Sequence, residues 1–273
     1  MYRIGVVAPG GPLRPEVPEA VAALAASLYP DRVELVFHPQ CFFSAGHFAG
    51  DDAERAAAFI EVANDPDIDA IWFGRGGYGS GRIVDLVLPA LAPAAREKSY
   101  LGYSDAGILL SALYIEGFPK LAHGPMAQDI VRPGGEAAAA RALAYLVDGA
   151  RASLEPSVDG RAPTAAFNIA ILSALIGTPW QPDLAGHVLM LEEVAEHMYR
   201  IDRFLFHITS NPRIREVAGI RLGRFTAITP NDPDFGVEEL GVISHWCERS
   251  GIPYLGLADI GHDADNKVVP FGL

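Results

Sequence analysis

Apolar runs and amphipathic segments alternate along the first half of the chain. Short apolar runs typical of buried strands are each followed by a segment with apolar residues at helical spacing. The predicted strands are 3–8, 33–37, 70–73 and 100–103, and the predicted helices are 15–28, 51–63, 81–87 and 106–115. This alternation predicts an α/β fold with a doubly wound, mostly parallel sheet that helices cover on both faces.

A segment with little apolar periodicity separates this half from the rest. It is rich in Gly, Pro, Ser and Asp, as linkers are. We assign residues 1–148 to an N-terminal α/β domain, 149–164 to a linker and 165–273 to a C-terminal domain. In the last of these, the pattern predicts helices at 169–176, 199–208 and 238–249 and strands at 188–191 and 225–228. A cleft between the two domains is the expected position of an active site.

Composition and charge exclude several functional classes. The chain has 273 residues, of which 50% are hydrophobic and 20% charged, as in a globular protein. Its net charge of −13 and its lack of a basic cluster argue against nucleic-acid binding. No apolar run is long enough for a membrane span or a signal peptide, so we expect a cytoplasmic protein with no membrane partner. Cys41 and Cys247 stand alone, and no cluster has metal-ligand spacing, so we predict no metal.

Several glycines follow the third predicted strand. Gly74-x-Gly76-x-x-Gly79 matches the dinucleotide-binding fingerprint. That fingerprint normally follows the first strand of a fold, however, and no acidic residue is cleanly placed to bind a ribose. The glycines also suit a tight turn, or a loop whose backbone amides bind an oxyanion. We expect no cofactor, with a dinucleotide-dependent enzyme as an alternative.

Ser104 lies between a predicted strand and a predicted helix, in the sequence Gly102-Tyr103-Ser104-Asp105-Ala106. A nucleophile elbow exposes a serine hydroxyl in this context, with the next backbone amide aimed at the oxyanion. Ala106 stands where the GxSxG motif has its second glycine. The alternative is that Ser104 and Asp105 only cap the following helix.

A serine nucleophile needs a base and a carboxylate that orients it. His262 follows a glycine at the end of a predicted strand, and Glu192 directly follows another apolar strand. The order Ser104, Glu192, His262 would form a triad from residues that all follow strands. Alternatively, His262 is a turn residue, and Glu192 and Glu193 cap the following helix.

The chain also resembles a known family. The segments GRGGYGSGRI, LGYSDAGILL, HGPM, NIAILSALIGTPW, LMLEEVAEHMYRIDR, TPND and GHDADNKVVPFG occur in this order and span nearly the whole chain. They resemble the LD-carboxypeptidases, cytoplasmic serine peptidases of murein recycling. The resemblance implies the nucleophile at Ser104, the glutamate at Glu192 and the histidine at His262. It also implies an N-terminal α/β domain, a smaller β-rich C-terminal domain and a triad in the cleft between them.

The implied reaction is hydrolysis of an L,D-peptide bond that releases D-alanine from a murein tetrapeptide. The expected oxyanion donors are the backbone amides of Asp105 and of Gly76 or Gly77. The candidate cations for the substrate carboxylate are Arg75, Arg200 and Arg203. The family also suggests a homodimer. Two departures from its pattern are Phe167, where relatives carry glycine, and the early chain end at PFGL.

Three other functions stay open on the sequence. An immunity-type serine peptidase that cleaves a peptidyl-nucleotide antibiotic has the same chemistry. The dinucleotide-dependent enzyme and a catalytically inactive binding module belong to other classes.

Overall fold

The computed structural model describes residues 1–272 and contains two β-sheets. The first has six strands in the order β10-β5-β4-β3-β1-β2. All neighbours are parallel except β10, which runs antiparallel to β5. These strands are β1 (Tyr2–Val7), β2 (Val33–Phe37), β3 (Ala70–Phe73), β4 (Ser99–Gly102), β5 (Leu121–His123) and β10 (Val269–Pro270).

Helices cover both faces of the first sheet. The helices are α1 (Val17–Leu28), α2 (Asp52–Asn64), α3 (Ser80–Val87), α4 (Gly107–Ile115) and α5 (Gly135–Asp148). Side chains of β3 alternate between the faces, so that Trp72 packs in the core with α1 and α5, whereas Phe73 packs with α2, α3 and α4. Because both faces are covered, β3 is buried along its whole length. The predicted doubly wound sheet is confirmed.

The second sheet is smaller and fully parallel, in the order β6-β7-β8-β9. Its strands are β6 (Thr164–Asn168), β7 (Val188–Val194), β8 (Gly219–Thr226) and β9 (Tyr254–Leu257), and its helices are α6 (Ile169–Leu175), α7 (Met198–Ser210) and α8 (Glu239–Ser250). One core cluster runs from these helices into the α2–α4 side of the first sheet. The two units therefore share a continuous core.

The chain end returns to the first sheet. Val269 pairs with His123 of β5, while the carbonyl oxygen of Pro270 accepts a hydrogen bond from Thr164 Oγ1 of β6 at 2.6 Å. The last strand thus joins the two sheets, although residues 165–273 were assigned to one domain by composition. Leu273 lies outside the described residues.

Some elements differ from those predicted. The pattern missed β5 and the alanine-rich helix α5, and β6 begins at the last residue assigned to the linker. Strand β8 begins at Gly219 rather than at 225. The pattern missed its first residues because Arg221 and Arg224 interrupt the apolar run. The second unit also carries three helices beside its sheet, so it is less dominated by strands than the resemblance implied.

Candidate active site

A cavity of about 410 Å³ lies at the carboxyl ends of the parallel strands of the first sheet. In the strand order 2-1-3-4-5, the chain leaves β1 toward one edge of the sheet for β2 and then crosses to the other side for β3. Ligands of open α/β sheets bind in the crevice at such a switch point, here between β1 and β3. Residues lining the cavity come from the loops after β1, β3, β4 and β5 and from the segment after β9. They are Arg14, Arg75, Gly76, Gly77, Tyr103, Ser104, Met126, Gln128, Asp129, Val131, Arg132, Pro133 and His262.

Ser104 occupies a strained turn between β4 and α4. Its φ of +60° lies in the left-handed region, which a non-glycine residue adopts at a cost. The neighbouring chain is close, since a Cβ added at Gly76 would lie 3.1 Å from Ser104 Oγ. A Cβ added at Gly102 would lie 2.5 Å from the Phe73 ring. This tight strand-to-helix turn has the geometry of a nucleophile elbow, even without the second glycine of the motif.

The glycine-rich loop is tied to the residue after Ser104. The Asp105 carboxylate accepts hydrogen bonds from the amides of Gly79 at 3.3 Å and Ser80 at 2.8 Å, at the start of α3. Burial raises the pKa of this carboxyl, whereas these amides oppose the rise. The Asp105 carboxylate occupies the start of α3, where a dinucleotide would place its phosphate. A bound phosphate would lie against this buried carboxylate, so the position does not suit a dinucleotide. The glycine fingerprint is therefore a structural turn that brings Gly76 beside Ser104.

Glu192 and His262 form a buried pair. Glu192 lies within β7, which continues to Val194, and not after the strand as the sequence predicted. Its side chain is fully buried, and its Oε2 is 2.5 Å from His262 Nδ1. Gly223 of the adjacent strand makes this approach possible, because a Cβ there would lie 2.9 Å from Glu192 Cβ and 2.6 Å from Ile260. The sequence did not single out Gly223.

The pair sets the protonation chemistry of His262. Burial disfavours the imidazolium, but the charge of Glu192 and its hydrogen bond outweigh burial, so the pKa of His262 is raised. The pair leaves Nε2 for another partner, and this atom makes no hydrogen bond within residues 1–272. The Tyr103 ring packs against the imidazole with centroids 4.7 Å apart. His262 and Ser104 line the same cavity without a direct hydrogen bond between them.

Glu193, in contrast, caps a helix. Its carboxylate accepts hydrogen bonds from the amide of Ala170 at 2.8 Å and from Asn168 Nδ2 at 2.6 Å, at the start of α6. Burial raises the pKa of Glu193 to about 7. Glu193 thus caps α6, which precedes it in the chain, and not the helix that follows it as predicted, whereas the neighbouring Glu192 contacts His262.

Arg224 anchors the segment that carries His262. Its Nε and Nη2 donate to the two oxygens of Asp263 at 2.5 and 2.7 Å, and its Nη1 donates to Asp259. Its backbone amide donates to the Ile260 carbonyl oxygen at 2.8 Å. Gly223 and Arg224 are consecutive residues of β8. Gly223 leaves room for this loop, and the hydrogen bonds of Arg224 hold the loop in place. The sequence indicated neither role.

The candidate arginines fall in different places. Arg75 lines the cavity, with its Nη1 donating to the Pro12 carbonyl oxygen at 2.9 Å. Arg200 and Arg203 lie on α7 and are not among the lining residues. Arg200 pairs with Glu196 at 2.6 Å, and Arg203 lies over the Tyr199 ring. Two cations that the sequence did not suggest, Arg14 and Arg132, line the cavity instead.

Across residues 1–272, no group of three or more His, Cys, Asp or Glu side chains is arranged to hold a metal ion. Within that range, no helix has the length and apolar character needed to cross a bilayer.

The chain is similar in sequence to proteins named as carboxypeptidases. A protein of Streptomyces coelicolor named as a carboxypeptidase is 31% identical over 281 residues, covering 99% of this chain and 88% of its own. The murein tetrapeptide carboxypeptidase of Pseudomonas aeruginosa is 27% identical over 83% of this chain and 78% of its own.

Solved structures share the fold. The crystal structure of muramoyltetrapeptide carboxypeptidase from Oxalobacter formigenes has a TM-score of 0.81 at 24% identity, over 99% of this chain and 93% of that one. MccF in complex with glutamyl sulfamoyl guanosine also gives 0.81, at 17% identity, over 100% of this chain and 91% of that one. Residues 4–124 match the model of the LD-carboxypeptidase N-terminal domain, and residues 162–273 match that of the C-terminal domain. The chain therefore belongs to the LD-carboxypeptidase family of serine peptidases.

Proposed function

We propose that this protein hydrolyses the L,D-peptide bond before the terminal D-alanine of a murein tetrapeptide. The observation that carries the proposal is the Glu192–His262 pair, whose histidine lines the same cavity as a serine in a strained elbow. The tetrapeptide is taken from the name of one relative, the murein tetrapeptide carboxypeptidase of Pseudomonas aeruginosa.

The chemistry is acyl transfer through Ser104. The neutral Nε2 of His262 takes the hydroxyl proton as Oγ attacks the scissile carbonyl carbon, while Glu192 holds the imidazole through Nδ1. The amide of Asp105, with that of Gly76 or Gly77, donates to the oxyanion. His262 then gives its proton to the departing amine of D-alanine, and water hydrolyses the acyl-enzyme by the same steps.

The assay that tests this proposal follows D-alanine release from L-Ala-γ-D-Glu-meso-diaminopimelate-D-Ala by mass spectrometry. We expect release by the wild type and loss by at least roughly 10³-fold in the Ser104→Ala variant. Equal release by both proteins would contradict the assignment of Ser104.

A second substrate separates the proposal from its alternative. Structures of MccF carry an aminoacyl sulfamoyl nucleoside, which makes a peptidyl-nucleotide substrate the second candidate. Cleavage of an aminoacyl-nucleotide analogue without any release of D-alanine from the tetrapeptide would favour that candidate. The cytoplasmic location and the homodimer stay predictions, and gel filtration with light scattering tests the latter.

A further inference from the structure

The cavity carries a charge opposite to that of the whole protein. The chain has 34 acidic against 21 basic residues, yet three arginines and a single carboxylate, Asp129, line the cavity. Such a local excess of positive charge attracts an anionic ligand. A carboxypeptidase must bind the free carboxylate of its substrate, and that group lies only three bonds from the scissile carbonyl carbon.

Arg132 is the most enclosed of the three arginines. Its side chain is 30% exposed, whereas Arg14 and Arg75 are exposed residues at the cavity wall. Its Nη2 lies 2.8 Å from Asp129 Oδ1, and the Asp129 side chain is only 3% exposed. A guanidinium has five N–H donors, so one ion pair leaves others available for a carboxylate.

Asp129 also connects Arg132 to the catalytic residues. Its Oδ2 accepts a hydrogen bond from the Met126 amide at 2.9 Å, and its Oδ1 accepts one from the Tyr103 hydroxyl at 3.2 Å. Tyr103 directly precedes Ser104, and its ring packs on His262. The cation is therefore held by the same side chains that surround the nucleophile, which gives it a fixed position relative to the reacting atoms.

We propose that Arg132 binds the terminal carboxylate of the substrate and so restricts the enzyme to removal of the last residue. This inference rests on the proposed function. Arg14 and Arg75 are exposed residues of the cavity wall, so we assign them no role in recognition of the terminus.

The test compares two ligands that differ only at the terminus, the tetrapeptide ending in D-alanine and the same peptide ending in D-alaninamide. In the wild type we expect kcat/KM to favour the acid by roughly 100-fold, as for a charged hydrogen-bonded contact. Arg132→Gln should bring that ratio to within about threefold. Arg14→Gln and Arg75→Gln are the matched controls. Each should lower kcat/KM for both peptides alike and so leave the ratio of acid to amide unchanged.

Binding measured without turnover separates this inference from the proposed function. Calorimetric titration of both peptides is done in the Ser104→Ala background, with and without Arg132→Gln. An acid preference that depends on Arg132, together with a wild-type protein that releases no D-alanine, would refute the proposed function but support the carboxylate site. An unchanged acid preference in the Arg132→Gln protein would overturn the site.

A double variant controls for misfolding of Arg132→Gln. Arg132→Gln leaves Asp129 buried without its cation, which can destabilise the loop. The double variant Arg132→Gln/Asp129→Asn removes both charges and should lose the acid preference in the same way. If the double variant keeps that preference, the inference is wrong.

Discussion

At the scale of the residue, the backbone of Ser104 is held in a conformation that a side chain disfavours. The φ of +60° predicts that glycine is more stable than alanine at this position, because only glycine adopts that region freely. We expect the free energy of unfolding of Ser104→Gly to exceed that of Ser104→Ala by about 1 kcal/mol. Ser104→Gly should therefore unfold at a higher urea concentration. Equal stability of these two inactive variants in urea titrations would show that the elbow stores no strain.

The pH dependence of activity is set by His262. Because Glu192 raises the pKa of His262, and only the neutral imidazole can accept a proton, kcat/KM should rise with pH through a value above the usual histidine pKa of about 6.5. Glu192→Gln removes the charge and leaves the burial. We therefore expect this rise at lower pH, together with a maximal rate reduced by roughly 10²- to 10⁴-fold. An unshifted pH profile in that variant would contradict the pairing.

At the scale of the element, strand β8 positions the loop of His262. Arg224→Gln loses the ion pairs to Asp259 and Asp263, so the loop should move relative to Glu192. We expect kcat to fall by roughly 10- to 100-fold, whereas KM changes little because Arg224 does not line the cavity. The matched control is Arg221→Gln on the same strand, which loses one surface hydrogen bond to Leu257. A change in KM alone would argue against this positioning role.

The elements differ in how far the sequence could predict them. Strand β3 is buried on both faces, so its uninterrupted apolar run identified it, whereas the short strand β5 and the alanine-rich α5 carry little such signal. Ser104, Glu192 and His262 were placed by their positions after strands and by family resemblance. Arg132 and Gly223 could not be found in this way, because their roles depend on contacts with distant parts of the chain.

At the scale of the whole molecule, the last residues hold the two sheets together. Phe271 is 3% exposed, and its ring meets those of Phe167 at 5.3 Å and Tyr114 at 5.7 Å between centroids. Since the core is continuous, we expect one cooperative thermal transition. Phe271→Ala should cost about 3–5 kcal/mol and lower Tm by roughly 10 °C.

Circular dichroism at two wavelengths, together with residual activity, measures this transition. Leu257→Ala, at a side chain that is 70% exposed, is the matched control and should leave Tm nearly unchanged. Two separate transitions in the wild type would show that the sheets unfold independently.

The central claim is that Ser104 is a nucleophile activated by His262 in this cavity, and labelling with a fluorophosphonate tests it most directly. Peptide mapping by mass spectrometry should locate one adduct on Ser104. The labelling rate should fall strongly in His262→Ala and in the presence of excess tetrapeptide. An adduct on another residue, or labelling of Ser104 at an unchanged rate in His262→Ala, would contradict the account.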